Sequence, residues 1–395
     1  MEPPESKSHR HWLQQLQLVQ FEATSPGMPY WLPAGVTVMR ELREMWLRRH
    51  LARGYLEMSG PQLADQSVFD LSGHASHFRD GMFWEAQRFG IKPTNCPGAM
   101  LIFADRRRSY RELPLRLYCD DLLHRNEQSG ALNGLLRLQE FRQDDAHVFL
   151  PEAGVVDELE SIFAFAKELY DLFGLDFRLR LGTAPGDRMG GDDIWQRATM
   201  TLREALDRFA GPDGYEVVAG EGSFYAPKID ILMRDSLRRE WQTGTLQVDL
   251  QLPARFGCRY TGDDGVDRVP VLIHRAIAGS FERFLGILLE HTDGRLMPPL
   301  APVQVLVAPV GPRHVEGASR IGEDLRRAGA RVEIGDGRRT VAALVREASE
   351  RRIPRLGVVG DRELGAGLLA VRRPDGRSEL LSPEALADEV RTAHR

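Results

Sequence analysis

Pro298, Pro299 and Pro302 cut the chain into two parts whose strand and helix signals follow different rules. Beyond the cut the pattern alternates: an apolar strand at 303–309, a charged amphipathic helix at 314–328, and a strand at 331–335. A helix at 340–352, a strand at 356–360, a hairpin around Pro374-Asp375-Gly376 and a last helix at 383–393 complete it. Such alternation over roughly 95 residues predicts a small α/β domain with a mostly parallel or mixed sheet. Before the cut, strands are predicted at 176–182, 222–234, 245–252 and 268–275, and residues 115–150 read as two strands joined by a loop. Helices are predicted at 35–52, with Val36, Met39, Leu42, Trp46 and Leu51 at helical spacing, at 154–174, and after Gly279. These strands do not alternate regularly with helices. The expected class is therefore α+β, an antiparallel sheet with flanking helices, over 1–297, followed by the α/β domain over 298–395.

Composition narrows the options. The chain has 395 residues, 42% of them apolar, which suits folded domains with a sizeable core. The formal charge is −5, so no global basic signal for nucleic acid is present. From residue 302 onward, however, 17 Arg stand against 14 Asp and Glu, a surplus that would let one end meet a phosphate backbone. Lys occurs only at Lys7, Lys92, Lys167 and Lys228, so Arg is the default cation and a single Arg says little. Cys96, Cys119 and Cys258 make no disulfide framework and fit a reducing compartment. Met1 to His11 lacks an apolar segment of the secretory kind, and no apolar run reaches about 18 residues, so the expectation is a cytoplasmic protein with no membrane span.

The densest chemistry lies in His124-Arg125-Asn126-Glu127-Gln128-Ser129-Gly130 and the run Phe141-Arg142-Gln143-Asp144-Asp145-Ala146-His147. A cation, a carboxylate, an aromatic ring and a metal-ligand type share one expected strand–loop–strand hairpin. Arg125 and Glu127, two apart on a strand, would point to one face. A second element is Ala278-Gly279-Ser280-Phe281-Glu282-Arg283-Phe284, where small residues admit close approach and Arg283 on the next helix turn reaches forward. Cys96, His147 and His274 are metal-ligand types too far apart for any local spacing rule to pair them.

The hairpin resembles the second signature motif of the class II aminoacyl-tRNA synthetases, and in its wording the threonyl-tRNA synthetase family. The 278–284 element resembles the third motif. The helix–strand joint ending at Pro61 resembles the first, which in the family forms a dimer interface, so a homodimer is implied. The resemblance covers nearly the whole chain. It implies ATP-dependent activation of L-threonine and transfer to tRNA.

Joining two anions at the α-phosphorus needs fixed cations and positioning. On the resemblance, Arg125 bridges the α-phosphate and the amino-acid carboxylate, Glu127 accepts from the adenine amino group, and Phe141 stacks on the ring. Arg283, Arg137 and Lys228 serve phosphates, Gln242 and Thr245 lie near ribose and substrate, and Mg2+ accompanies ATP. Cys96, His147 and His274 match the family's zinc ligands, three donors with an open position. Threonine would chelate the Zn2+ through its amino and hydroxyl groups, with Asp145, Tyr225 and Gln143 around it, and valine would leave the metal unsatisfied. Serine lacks only a methyl, worth about 1–3 kcal/mol, so it would be rejected poorly. Family members usually carry N-terminal domains, one of which removes mischarged serine; here the catalytic body begins near Trp12, and no such editing domain is expected.

His74, in Ser72-Gly73-His74, matches a family histidine near the tRNA acceptor end. Glu363 and Arg372 fall where anticodon bases are read, and the C-terminal part looks like the family's anticodon-binding domain. Where relatives show Arg-Asn-Glu, this chain has Gly337-Arg338-Arg339. Two other readings stay open: a paralogue activating threonine or a related hydroxy amino acid for a non-tRNA acceptor, and a non-catalytic synthetase-like regulator.

Overall fold

Strands buried on both faces form the centre of the main sheet. The computed structural model describes residues 7–392, apart from 87, 236 and 237. Contacts divide the chain into two compact units. One holds Phe21–Pro29 and Trp46–Ile287; the other holds the residues up to Gln20, Tyr30–Met45 and Leu288 onward.

In the first unit the strands of the main sheet are β1 (Leu56–Glu57), β2 (Leu115–Cys119), β3 (Leu122–His124), β4 (Glu140–Leu150), β5 (Asp176–Gly182), β6 (Tyr215–Val218), β7 (Lys228–Arg234), β8 (Glu240–Asp249) and β9 (Val271–Ser280). They form one nine-stranded sheet in the order β6-β5-β7-β8-β9-β4-β2-β1, with β3 pairing the start of β4. Pairing is antiparallel, as expected, except at the two edges, where β5–β6 and β1–β2 are parallel. β9, Val-Leu-Ile-His-Arg-Ala-Ile-Ala-Gly-Ser, is buried along all but its last residue, which fits a central strand covered on both sides. On one face the Cys96–Ala104 helix packs Ala99, Met100 and Phe103 against Leu117, Phe149 and Leu272. Elsewhere Trp46 meets Phe173, Phe281 and Phe284.

Three differences from the sequence expectation have physical causes. The 115–150 region holds three strands, because Asp121 leaves the ladder to accept from Ser59 Oγ, Gly60 N and Lys92 Nζ. The strand expected at 222–234 starts only at Lys228; before it, Ser223 Oγ takes the Ala226 N–H in a turn closed by Pro227. The Asp192–Ala210 helix was not anticipated, although Trp195, Ala198, Leu202, Ala205 and Leu206 are buried at helical spacing.

Two register breaks shape the sheet's end. β7 and β8 slip between Ile231 and Leu232, leaving Thr243 as an extra residue. β4 and β9 slip between Gln143 and Asp145, where Ile277, Ala278 and Gly279 stand opposite Asp144. Bulges of this kind bend strands and re-aim side chains. Gly279 has φ +70°, and a Cβ there would lie 2.0 Å from the Thr243 carbonyl oxygen, so only glycine fits.

The second unit carries β10 (Val305–Pro309), β11 (Val332–Ile334), β12 (Leu356–Val359), β13 (Leu369–Arg372) and β14 (Ser378–Leu381), ordered β11-β10-β12-β13-β14. The first three are parallel and the last two antiparallel, the mixed sheet that the alternation predicted. Val305 and Val307 face one apolar cluster, while Leu306 and Ala308 face another. In the same unit the His9–Gln15 helix is held by His9 Nδ1 at 2.7 Å from Glu290 and by Arg352 over the Trp12 ring.

Candidate active site

Cross-strand register brings the first three candidate residues together. His147 in β4 lies directly opposite His274 in β9, and Cys96 opens the helix packed over that face. One ligand atom from each lies within 4.8 Å of the others, and all three residues are buried. Their chemistry fits a cation. Among the described residues neither ring nitrogen of His147 has a hydrogen-bond partner, nor does His274 Nδ1. Buried polar atoms are rarely left so. His274 Nε2 lies 2.9 Å from Asp249 Oδ2, so the carboxylate fixes the tautomer that leaves Nδ1 free to ligate. Asp249 is itself anchored by the Gln251 and Leu252 amides. Burial keeps His147 well below its ordinary pKa, in the neutral form that ligates. Burial works against charge on His274 too, but the Cys96 sulfur and Asp249 outweigh it and raise its pKa to about 10. This corner favours positive charge, and a bound cation would take the place of the second proton on His274.

Beside the triad is a cluster of buried or partly buried polar side chains. Asp145 shares the His147 face, with 3.9 Å between its Oδ1 and His147 Nε2, and accepts from Asn95 Nδ2 at 3.2 Å. Burial raises its pKa to about 6, partly offset by His274 and Asn95. The Tyr225 ring is 5.2 Å from that of His274, and its hydroxyl donates to Gln247 at 2.6 Å. Gln247, opposite His274 in the ladder, was missed from sequence; its alternation with Thr245 on β8 was the available signal. Gln143 Oε1 is buried without a partner among the described residues. His74 is buried at the start of the short His74–His77 helix, with Nδ1 2.9 Å from Ser72 Oγ. Burial, then Arg125 and His274, lower its pKa to about 3.

The bulged strand ends line a cleft of about 230 Å³, walled by Arg125, Glu127, Arg137, Phe141, Gln143, Gln242, Thr245, Ser280 and Arg283. Arg125 lies 5.1 Å over the Phe141 ring and donates through Nε to the Pro93 carbonyl. Arg283, just inside the Phe281–His291 helix, donates to the Leu136 and Gln242 carbonyls at 2.8 and 3.0 Å. Burial depresses the pKa of both guanidiniums, and for Arg283 the nearby Arg125 and Arg137 add to it. Crowded, desolvated cations make a site that demands an anion.

Arg125 and Glu127 do not share a strand as expected. β3 ends at His124; the Arg125 amide still reaches the Gln139 carbonyl in the same register, but the Asn126 amide turns away to the Gly81 carbonyl. Glu127 instead pairs with Arg137 at 2.8 Å. Lys228 is not among the residues lining the cleft; its Nζ lies 3.1 Å from Asp230, which also accepts from Gln242 Nε2 at 2.6 Å. In the other unit Glu363 and Arg372 are not brought together. Glu363 caps the Asp361–Ala366 helix through the Gly360 N–H, beyond the last residue of β12, whereas exposed Arg372 pairs with Leu356 at its first. Arg338 is exposed, and Gly337 before it has φ +70° with its Cβ position 2.6 Å from Val315.

Two family profiles match the chain: "tRNA synthetase class II core domain (G, H, P, S and T)" over residues 83–292 and "Anticodon binding domain" over 304–393. A threonine–tRNA ligase from Thermotoga neapolitana is 42% identical over 95% of the chain. The chain spans 59% of that relative's length. A crystal structure described as the RNA binding domain of threonyl-tRNA synthetase from Cryptosporidium parvum Iowa II superposes with TM-score 0.94 at 36% identity, covering 98% of both chains. A putative threonyl-tRNA synthetase, ThrRS-1, from Aeropyrum pernix gives TM-score 0.85 at 30% identity, covering 98% of this chain and 96% of its own.

Proposed function

This chain belongs to the class II tRNA synthetases, within the threonyl-tRNA synthetase family, and on that footing we propose that it is an ATP-dependent threonine–tRNA ligase. The threonine carboxylate attacks the α-phosphorus of ATP, forming threonyl-adenylate and releasing pyrophosphate. The terminal adenosine hydroxyl of tRNA then takes the threonyl group and AMP leaves.

Arg125 bridges the reacting carboxylate and the α-phosphate; with Nε held by Pro93, its outer nitrogens are free for two anions. The Glu127–Arg137 pair opens to the nucleotide, Glu127 toward the adenine amino group and Arg137 toward the outer phosphates with Arg283. Phe141 stacks on adenine, Gln242 and Thr245 face the ribose, and Lys228 adds positive charge. Mg2+ bound with ATP would supply the charge that offsets the remaining repulsion.

Cys96, His147 and His274 would hold a zinc ion, which supplies an electrophilic anchor for the amino and hydroxyl groups of threonine. Asp145 accepts from the hydroxyl, and Gln143 and Tyr225 close the pocket. Valine fills the same space and leaves the anchor and Asp145 unsatisfied. His74 lies toward the tRNA acceptor end, and Glu363 and Arg372 contribute to anticodon reading in the 298–395 domain. We place the enzyme in the cytoplasm as a homodimer; no helix among the described residues is long and apolar enough to cross a membrane.

The observation that carries this reading is the buried thiol and two imidazoles converging with three orphaned ring nitrogens beside Asp145. The test is threonine-dependent pyrophosphate exchange and bound zinc, measured together in the wild type and in Cys96→Ser. Both are expected to disappear in the variant; full exchange without metal would overturn the reading.

A further inference from the structure

Asp144 and Asp145 are consecutive, yet they face opposite sides of the sheet. Asp145 lies on the His147 side, bonded to Asn95. Asp144 is fully buried and is not among the residues lining the cleft. Its Oδ2 accepts 2.9 Å hydrogen bonds from the Ile277 and Ala278 amides, and its Oδ1 lies 3.1 Å from Arg275 Nη1. Those amides sit in the bulge, where three residues of β9 stand opposite one of β4 and the regular ladder is interrupted. An unmade main-chain hydrogen bond at such depth is costly, so one carboxylate stands in for the missing partners. Arg275, 5.0 Å over the Tyr55 ring, braces that carboxylate, and His50 Nε2 approaches it at 3.6 Å.

The same bulge makes part of the cleft. Gly279 and Ser280 line it, Ser280 Oγ caps the Arg283 amide, and Gly279 is wedged against the Thr243 carbonyl. On the other side of the bulge the ladder is regular, from Asp145↔Ala276 through His147↔His274. A relaxed bulge would therefore move Ser280 and Arg283 and leave the triad in register.

We propose that Asp144 is a positioning residue for the nucleotide half of the site: braced by Arg275, it holds the Ile277–Gly279 bulge in the shape that seats Ser280 and Arg283 against ATP. This rests on reading the cleft as an ATP site. It separates two neighbouring carboxylates by task, one for the amino acid and one for the fold of the phosphate side.

The experiment is Asp144→Asn in the full chain, assayed by threonine-dependent pyrophosphate exchange with active-site titration, bound zinc and amide exchange at residues 277–280. Loss of hydrogen bonds to a charged acceptor is expected to raise the KM for ATP about tenfold or more, and to speed exchange at Ile277 and Ala278 by a similar factor. The KM for threonine and the zinc content should stay within about twofold, a split that a merely unstable protein would not give. An unchanged KM for ATP, or equal changes for ATP and threonine, would overturn the proposal. If Asp144→Asn does not fold, Asp144→Ala with Arg275→Met removes both buried charges at once and faces the same outcomes. Absence of any ATP-dependent exchange in the wild type would refute the functional reading instead; the proposal about Asp144 would then be judged on amide exchange alone, unaltered protection at Ile277 and Ala278 counting against it.

Discussion

The two units differ in how much charge their sheets bury. In the first, charged groups are buried and paired across long stretches of chain: Arg275 with Asp144, 131 residues apart, and His274 with Asp249, 25 apart. In the second, the strands themselves bury apolar side chains, and many ion pairs are short-range and exposed, such as Arg327 with Asp324 and Arg377 with Asp375, while His9 with Glu290 is buried and 281 residues apart. Buried pairs return little net stability against their apolar equivalents, whereas removing one partner is severe. A sheet that keeps so many is being held to a geometry, whereas the α/β unit draws its stability from two apolar clusters around an alternating strand pattern.

The contrast is most exposed to failure at Arg125. Arg125→Ala is expected to lower the rate of threonine-dependent pyrophosphate exchange by about 100- to 1,000-fold, the scale for losing a preorganised donor to developing charge. A loss within a few fold would make it no more than a surface ion. Next comes Asp249→Asn, which leaves all three metal-ligand side chains in place but loosens the imidazole of His274. A drop of about 10- to 100-fold in zinc affinity is expected from competition with a chelator.

The second unit has longer-range charge pairs of its own, and one of them can be titrated. Glu389 is partly buried and accepts from Arg373 and Arg355; Arg373 above all, against burial, holds its pKa down at about 2. A carboxyl depressed in the folded state contributes stability above its ordinary pKa near 4.5, and that contribution fades as pH falls through about 2. Thermal unfolding between pH 5 and pH 2 should lose stability faster in the wild type than in Glu389→Gln; parallel curves would show that the pair contributes nothing. The smallest effect belongs to Arg339→Ala, which breaks an exposed pair with Glu347 and should cost less than about 1 kcal/mol by chemical denaturation.

The same difference explains what the sequence made legible. Alternation at 303–393 placed β10 to β12 within a few residues and the β13–β14 hairpin at its turn, because apolar runs and helical stripes follow one another in order. For Cys96, His147 and His274 no periodicity links positions 51 and 127 residues apart; the family resemblance paired them, and the β4–β9 register supplies the reason. The bulges left no mark in the sequence, so nothing there singles out Asp144; nor does the sequence show that the strand stops at His124, short of Arg125 and Glu127. Asp121 likewise gave no sign that it would leave the ladder to bind Lys92 and the Ser59–Gly60 turn. The Asp192–Ala210 helix was legible and missed, its apolar stripe diluted by small residues such as Ala198 and Ala205.

The central claim is that a metal gripped by one thiolate and two imidazoles selects the hydroxylated amino acid. X-ray absorption at the zinc edge, on protein with and without threonine, tests it most directly. The account predicts one zinc per chain with one sulfur and two nitrogen neighbours, gaining light-atom neighbours when threonine but not valine is added. A sulfur-free zinc environment, or a spectrum indifferent to threonine in a protein that still activates it, would contradict the account.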